Sequence, residues 1–150
     1  MFNSILVPLD GSKLAECVFP YVEDIAITRK SRVELVTVFE LFEMPPHGGM
    51  VLEEENFKQY NNDTKNRELN YLDGVKGYFQ AKGIDTKATV LEGKAAESLV
   101  DYARGHNFDL IVMATHGRSG LDRWIMGSIA DRLIHYSAVP VLLIRALHQQ

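Results

Sequence analysis

The sequence predicts an α/β domain, an open parallel sheet with helices on both faces. Three observations predict it. Short apolar runs of strand length alternate strictly with segments whose apolar residues recur at helical spacing, in the order β-α-β-α-β-α-β-α-β. The run "DLIVMAT" (109–115) is apolar on both faces, as a central parallel strand must be. The chain has 150 residues, the size of a single domain (1–150) that buries a sizeable core.

Each element follows from local pattern. "SILVP" (4–8) is a buried strand closed by Pro8, and "DGS" turns the chain into a helix that Ser12 is placed to cap, with Glu16 in its first turn. Leu14, Cys17, Val18, Tyr21, Val22 and Ile25 recur at helical spacing, and Pro20 within them predicts a kink or a distorted turn. "RVELVTVFE" (32–40) is rich in β-branched residues and forms the second strand. Pro45, Pro46, Gly48 and Gly49 predict a mobile loop over 41–56. A helix is expected from about Phe57 to Lys82. Leu69, Leu72, Val75, Tyr78 and Phe79 form its inward stripe, and Gly83 stops it. "DTKATVLEG" (85–93) is the third strand, followed by a helix from Ala95 to about Gly105. After the fourth strand, Ser128 starts the last helix, with Ile129, Leu133, Ile134 and Tyr136 as its apolar positions. "VPVLLIR" (139–145) is the final strand.

Bulk properties exclude several classes. A formal net charge of −4 gives no global attraction to nucleic acid or anionic membrane, so neither is expected as a partner. The single cysteine, Cys17, allows no intrachain disulfide and suits a reducing compartment; it reads as a small buried hydrophobe. The opening "MFNSILVPLD" reads as a strand rather than a signal peptide, and no apolar run approaches the roughly 20 residues of a membrane helix. A cytoplasmic protein is expected. His47, His106, His135 and His148 show no metal-ligand spacing, so no metal site made by protein side chains alone is expected. "EEE" at 53–55 reads as solvated charge.

The chemistry concentrates after the fourth strand. In such sheets ligands sit beyond the carboxyl ends of the strands, where the strand order reverses. If strands one and four are neighbours there, "VPLDGS" and "MATHGRSG" converge. Gly117, Gly120 and Gly127 fall within eleven residues. Glycine lets a backbone approach a phosphate closely, and loop N–H groups and a helix N-terminus supply donors and partial positive charge. Ser128-x-x-Asp131 resembles a capping box that fixes the start of the last helix. Arg118 and Arg123 are candidate cations and His116 a further donor, while Trp124, Ile125 and Met126 read as packing for the loop. Asp10, at the end of strand one, suits ribose hydroxyls; a helix cap or turn is its rival role. Neither Gly-x4-Gly-Lys-Ser/Thr nor Gly-x-Gly-x2-Gly is present, so a P-loop and the usual dinucleotide fingerprint are excluded.

"ILVPLDGS", "DLIVMATHGRSGLDRWIMGSIADRLI" and "VPVLLIR", in this order and spacing, resemble the universal stress protein family over essentially the whole chain. The nucleotide-binding branch carries Gly-x2-Gly-x9-Gly-Ser/Thr. Gly117, Gly127 and Ser128 match it, and Ala114 stands at the first glycine. The resemblance implies a five-stranded parallel sheet of order 3-2-1-4-5, Rossmann-like and of the adenine nucleotide alpha-hydrolase type. It implies that Pro8, Leu9 and Asp10 line base and ribose and that Val38 meets adenine through its backbone. Met113 and Ala114 would form the floor. His116 is a candidate contact, and Gly117, Arg118, Gly127, Ser128 and Ile129 would hold phosphates bridged by Mg²⁺. The nucleotide is ATP, with AMP and ADP as alternatives.

A homodimer is implied through the last strand, with Val139, Val141, Leu142, Leu143 and Ile144 at the interface; an apolar edge strand is a liability if left bare. The expected function is a nucleotide-tuned stress-response regulator acting on a protein partner that the sequence does not name. A nucleotide-free interaction module and a weak ATPase are the alternatives. No catalytic residue is assigned, and His116 is the sole candidate general base.

Overall fold

A computed structural model describes residues 1–41, 51–115 and 127–146, the first three of the middle stretch by backbone alone. The expected elements appear in the expected order: β1 (Ser4–Pro8), α1 (Phe19–Arg29), β2 (Arg32–Phe39), α2 (Val51–Gln80), β3 (Thr86–Glu92), α3 (Ala95–Gly105), β4 (Leu110–Thr115), α4 (Ser128–Tyr136) and β5 (Val141–Arg145). The five strands form one parallel sheet of order β3-β2-β1-β4-β5.

Strand alternation splits the core in two. Ile5, Val7, Val33, Leu35 and Val112 project to one face, where Val22 and Ala26 of α1 and Leu72, Val75 and Phe79 of α2 cover them. Leu6, Val36, Ile111 and Met113 project to the other, under Leu99, Val100 and Ala103 of α3 and Ala130 and Leu133 of α4. All five β1 residues are buried or nearly so, which is why this run carries no polar alternation.

Several boundaries differ from expectation. A 3₁₀ turn (Ala15–Val18) precedes α1, and Pro20 sits in the first turn of the α-helix. There its missing N–H costs nothing, so the chain is not kinked within a helix. Ser12 does not cap α1; its Oγ accepts from the Ala15 N–H at 3.2 Å, where the 3₁₀ turn begins. α2 begins at Val51, so residues 51–56 are helical and not loop. Glu54 and Lys58 pair there at 3.2 Å, an i,i+4 contact that supports an exposed helix. The rest of the expected loop, 42–50, lies outside the described residues.

The inward stripes are narrower than predicted. Tyr21, Leu69, Tyr78, Ile134 and Tyr136 are exposed, and Ala26 and Ala130 take buried places that a search for large apolar residues passes over. Tyr78 instead donates to Glu23 at 2.5 Å, and Lys82 pairs with the same carboxylate at 2.7 Å. β5 begins at Val141, so Val139 precedes it in a turn held by the Ser137 hydroxyl.

Candidate functional site

The site is positioned by where strands stop. In a parallel ladder, the N–H and C=O of one residue point to the same neighbouring strand, and the next residue points to the other. The Val36 carbonyl accepts from the Leu9 N–H at 2.8 Å, so Val36 faces β1, and so does Val38 two residues on. β1 ends at Pro8, and beyond Leu9 no described residue meets the Val38 peptide groups from that side. On β4, Ile111 and Thr115 bond toward β5, through the Pro140 carbonyl and the Ala146 N–H, which leaves Ala114 facing β1. Val38 therefore directs its N–H and C=O, and Ala114 its C=O, toward the same gap above the end of β1.

A crevice of about 250 Å³ occupies this gap. That is at the low end of the roughly 300–1,000 Å³ common for small-molecule sites. Pro8, Leu9, Asp10, Val38, Met113, Ala114, Gly127, Ser128 and Ile129 line it together, brought from four separate parts of the chain. His116, Gly117 and Arg118, with Gly120, Arg123, Trp124, Ile125 and Met126, lie outside the described residues. The Ala114 methyl packs against the core on the α1–α2 face, so the position without glycine is partly absorbed by ordinary packing.

Asp10 is exposed and performs the turn role. Its Oδ1 accepts from the Ser12 N–H at 2.9 Å and the Ser12 hydroxyl at 2.6 Å, while Oδ2 has no hydrogen-bond partner among the described residues. Gly11 between them holds φ +81°, a conformation that side chains disfavour. The turn and ligand roles are thus compatible, one on each carboxylate oxygen.

The expected capping box is absent. Gly127, not Ser128, is the N-cap of α4, and no side chain caps the helix. The Asp131 N–H donates to the Gly127 carbonyl at 2.9 Å, and the Asp131 carboxylate lies 3.3 Å from His135. Ser128 is consequently the first residue of α4, its side chain not spent on its own helix. The free N–H groups of this first turn, with their partial positive charge, border the crevice.

Eight wall residues were not assigned to the site from the sequence: Leu14, Ala15, Val36, Thr37, Glu68, Ala95, Leu99 and Ala130. The inward placement of Glu68 was readable, because Glu68, Leu72, Val75 and Phe79 continue one helical stripe. Burial raises its carboxyl pKa; Arg67 opposes this, and the negative charge of Asp10 adds to it. Burial likewise raises the pKa of the Tyr71 phenol, helped by Glu16, Asp10 and Glu68, and its hydroxyl donates to Glu16 at 3.2 Å. Thr37 interrupts the apolar series Val33, Leu35, Phe39. It is 2% exposed, and its Oγ1 is buried without a hydrogen-bond partner among the described residues. An unpaired buried hydroxyl costs on the order of 1–3 kcal/mol.

The charged wall residues, Asp10 and Glu68, are both acidic, and no Lys or Arg among the described residues lines the crevice. The carboxylates thus accept hydrogen bonds from hydroxyls, and the N-terminus of α4 favours an anion. His106 and His135 bond the carbonyls of Tyr102 and Asp131 within their own helices, away from this crevice. Among the described residues, no group of His, Cys, Asp or Glu has the makings of a metal site, and no helix is long and apolar enough to cross a membrane. Burial raises the pKa of the half-buried Cys17 thiol, which packs against the core.

Comparison with known proteins agrees with this architecture. A universal stress protein of Methanocaldococcus jannaschii is 28% identical over 148 residues, covering 97% of this chain and 83% of that protein. The structure of the universal stress protein UspA from Lactobacillus plantarum superposes with a TM-score of 0.77 at 18% identity, covering 96% of this chain and 98% of that one. That of a universal stress protein family protein from Arabidopsis thaliana, with AMP bound, superposes with a TM-score of 0.71 at 14% identity, covering 97% and 93%. The model of the universal stress protein family matches residues 1–145, and the chain belongs to that family.

Proposed function

We propose that this protein is an adenine-nucleotide-binding regulator that works as a homodimer in the cytoplasm. The carrying observation is one crevice with a free carboxylate oxygen at Asp10, open peptide groups at Val38 and Ala114, and the N-terminus of α4 at Gly127 and Ser128. These features suit a nucleotide's three parts: hydroxyls to the carboxylate, a base edge to the peptide groups, phosphate to the helix N-terminus. The AMP bound to the Arabidopsis relative supports the same ligand class here.

ATP is the nucleotide assigned, with Mg²⁺ held by its phosphates rather than by protein carboxylates. Gly117 and Arg118 join Gly127, Ser128 and Ile129 at the phosphates. Nucleotide state tunes the affinity for a protein partner. The place of β5 at the edge of the sheet supports the dimer, since no described strand pairs with its outer side and that side is available to a second copy.

The test is calorimetric titration of ATP and AMP into wild type and Ser128→Asp. A carboxylate at the first position of α4 favours the helix itself by about 0.3–1 kcal/mol. The same charge repels phosphate, so nucleotide affinity falls at least about tenfold while thermal stability holds or rises. Absence of binding by wild type at high micromolar ATP and AMP overturns the proposal.

A further inference from the structure

Thr37 is on the wall of the crevice, yet its hydroxyl has no hydrogen-bond partner among the described residues. Backbone geometry explains why the strand does not supply one. The Thr37 peptide groups face β3 within the ladder that pairs Thr37 with Val90, and its side chain projects to the α1–α2 face with Val33 and Leu35. Leu14, Ala15 and Glu68 line the same crevice; the first two carry no acceptor, and the Glu68 carboxylate does not bond to the Thr37 hydroxyl. A hydroxyl inside an apolar stripe is a defect if its sole purpose is packing. Valine has nearly the same shape and fills the same volume without a polar atom.

We infer that the Thr37 hydroxyl is a specificity-determining group that makes its hydrogen bond to the heterocyclic base of the bound nucleotide. The inference rests on the nucleotide-binding reading and adds a residue to it. The next residue, Val38, opens its peptide groups into the same gap, so a base held there lies beside Thr37. Rotation about the Cα–Cβ bond exchanges methyl and hydroxyl between staggered positions, which allows the oxygen to turn toward a ligand. A hydroxyl both donates and accepts, and so matches the amine-bearing edge of adenine, which presents a donor next to a ring-nitrogen acceptor.

A buried group left unpaired in the free protein and paired in the complex predicts opposite signs for two measurements on one variant. Thr37→Val removes the unpaired oxygen and keeps the shape. The free protein melts at the same or a higher temperature, while AMP binds about five- to thirty-fold more weakly. Thr37→Ser keeps the hydroxyl and retains wild-type affinity within about threefold. The preference of wild type for AMP over purine riboside monophosphate, which lacks the amine, shrinks in Thr37→Val.

A Thr37→Val variant that binds AMP as wild type does, or whose free form is destabilised, overturns this inference and leaves the nucleotide reading standing. Failure of wild type to bind any nucleotide overturns both. Should Thr37→Val not fold, Thr37→Ser and Thr37→Ala measured against the same two ligands decide the matter. Equal ligand preference in Ala and Ser overturns the role of the hydroxyl.

Discussion

A single oxygen of Asp10, its Oδ1, accepts from both the backbone N–H and the hydroxyl of Ser12, at 2.9 and 2.6 Å. The Ser12 oxygen in turn accepts from the Ala15 N–H, so one carboxylate fixes the whole passage from β1 to the first helical turn. Asp10→Ala therefore loosens the turn and removes the oxygen that faces the crevice, whereas Ser12→Ala loosens the turn alone. Each is expected to cost about 1 kcal/mol of stability. Only Asp10→Ala is expected to weaken nucleotide binding by more than about tenfold. Equal losses of affinity in the two variants, measured by calorimetry, would assign Asp10 to the turn and not to the ligand.

Acid stability is predicted to depend on Glu34, on the sheet face opposite Thr37. Burial raises its pKa, but hydrogen bonds from Tyr102 at 2.5 Å and Thr89 at 2.7 Å, with Lys87 at 3.3 Å, together hold it below the usual carboxylate range. The unfolded chain then takes up this proton more readily than the folded one. The contribution of Glu34 is full above the unfolded pKa near 4.3, and is lost as pH falls through the lower folded value. Tyr102→Phe is expected to destabilise by about 1–2 kcal/mol at neutral pH, with the difference from wild type narrowing below pH 4. Urea titrations at pH 7 and pH 3 measure this, and a difference that stays constant with pH would contradict it.

The dimer is predicted to depend on peptide groups more than on side chains. Leu142 already packs on one core and Val141 and Leu143 on the other, and Ile144 is buried. Pro140 and Ala146 bond toward β4, so residues 142 and 144 do the same and Leu143 turns its N–H to the open edge. Leu143→Pro removes that donor without removing a ladder bond, and twice over in a symmetric pair. Dimer dissociation is expected to strengthen at least about tenfold, with circular dichroism close to wild type. Light scattering across a dilution series gives the result, and an unaltered dimer would place the interface elsewhere.

The parallel sheet was legible because apolar runs such as Ile5–Val7 and Leu110–Met113 admit little besides buried parallel strands, whereas its order followed from the family resemblance. Helix ends were less legible. Pro20 is harmless in a first turn and disruptive further in, and apolar periodicity alone does not tell which. The start of α2 was hidden by Pro45, Pro46, Gly48 and Gly49, whose composition was carried past Val51 into residues that are helical. Within the candidate site, chain direction brings together the stretches after β1 and β4, while Val38 entered through the family resemblance alone. Thr37 and Glu68 were not legible as site residues because each lies inside a regular element, where the apolar period identifies the element and carries no signal that the polar residue interrupting it belongs to a site.

β1 has five residues and β2 has eight. The crevice is thus the next step of a ladder that one strand leaves unfinished, and whatever binds there stands in for the missing residues of β1. The sheet sets only the spacing and direction of the peptide groups on offer. A change of ligand then needs new side chains at the margins and no change of framework, so a scaffold of this kind can acquire or lose a ligand without refolding.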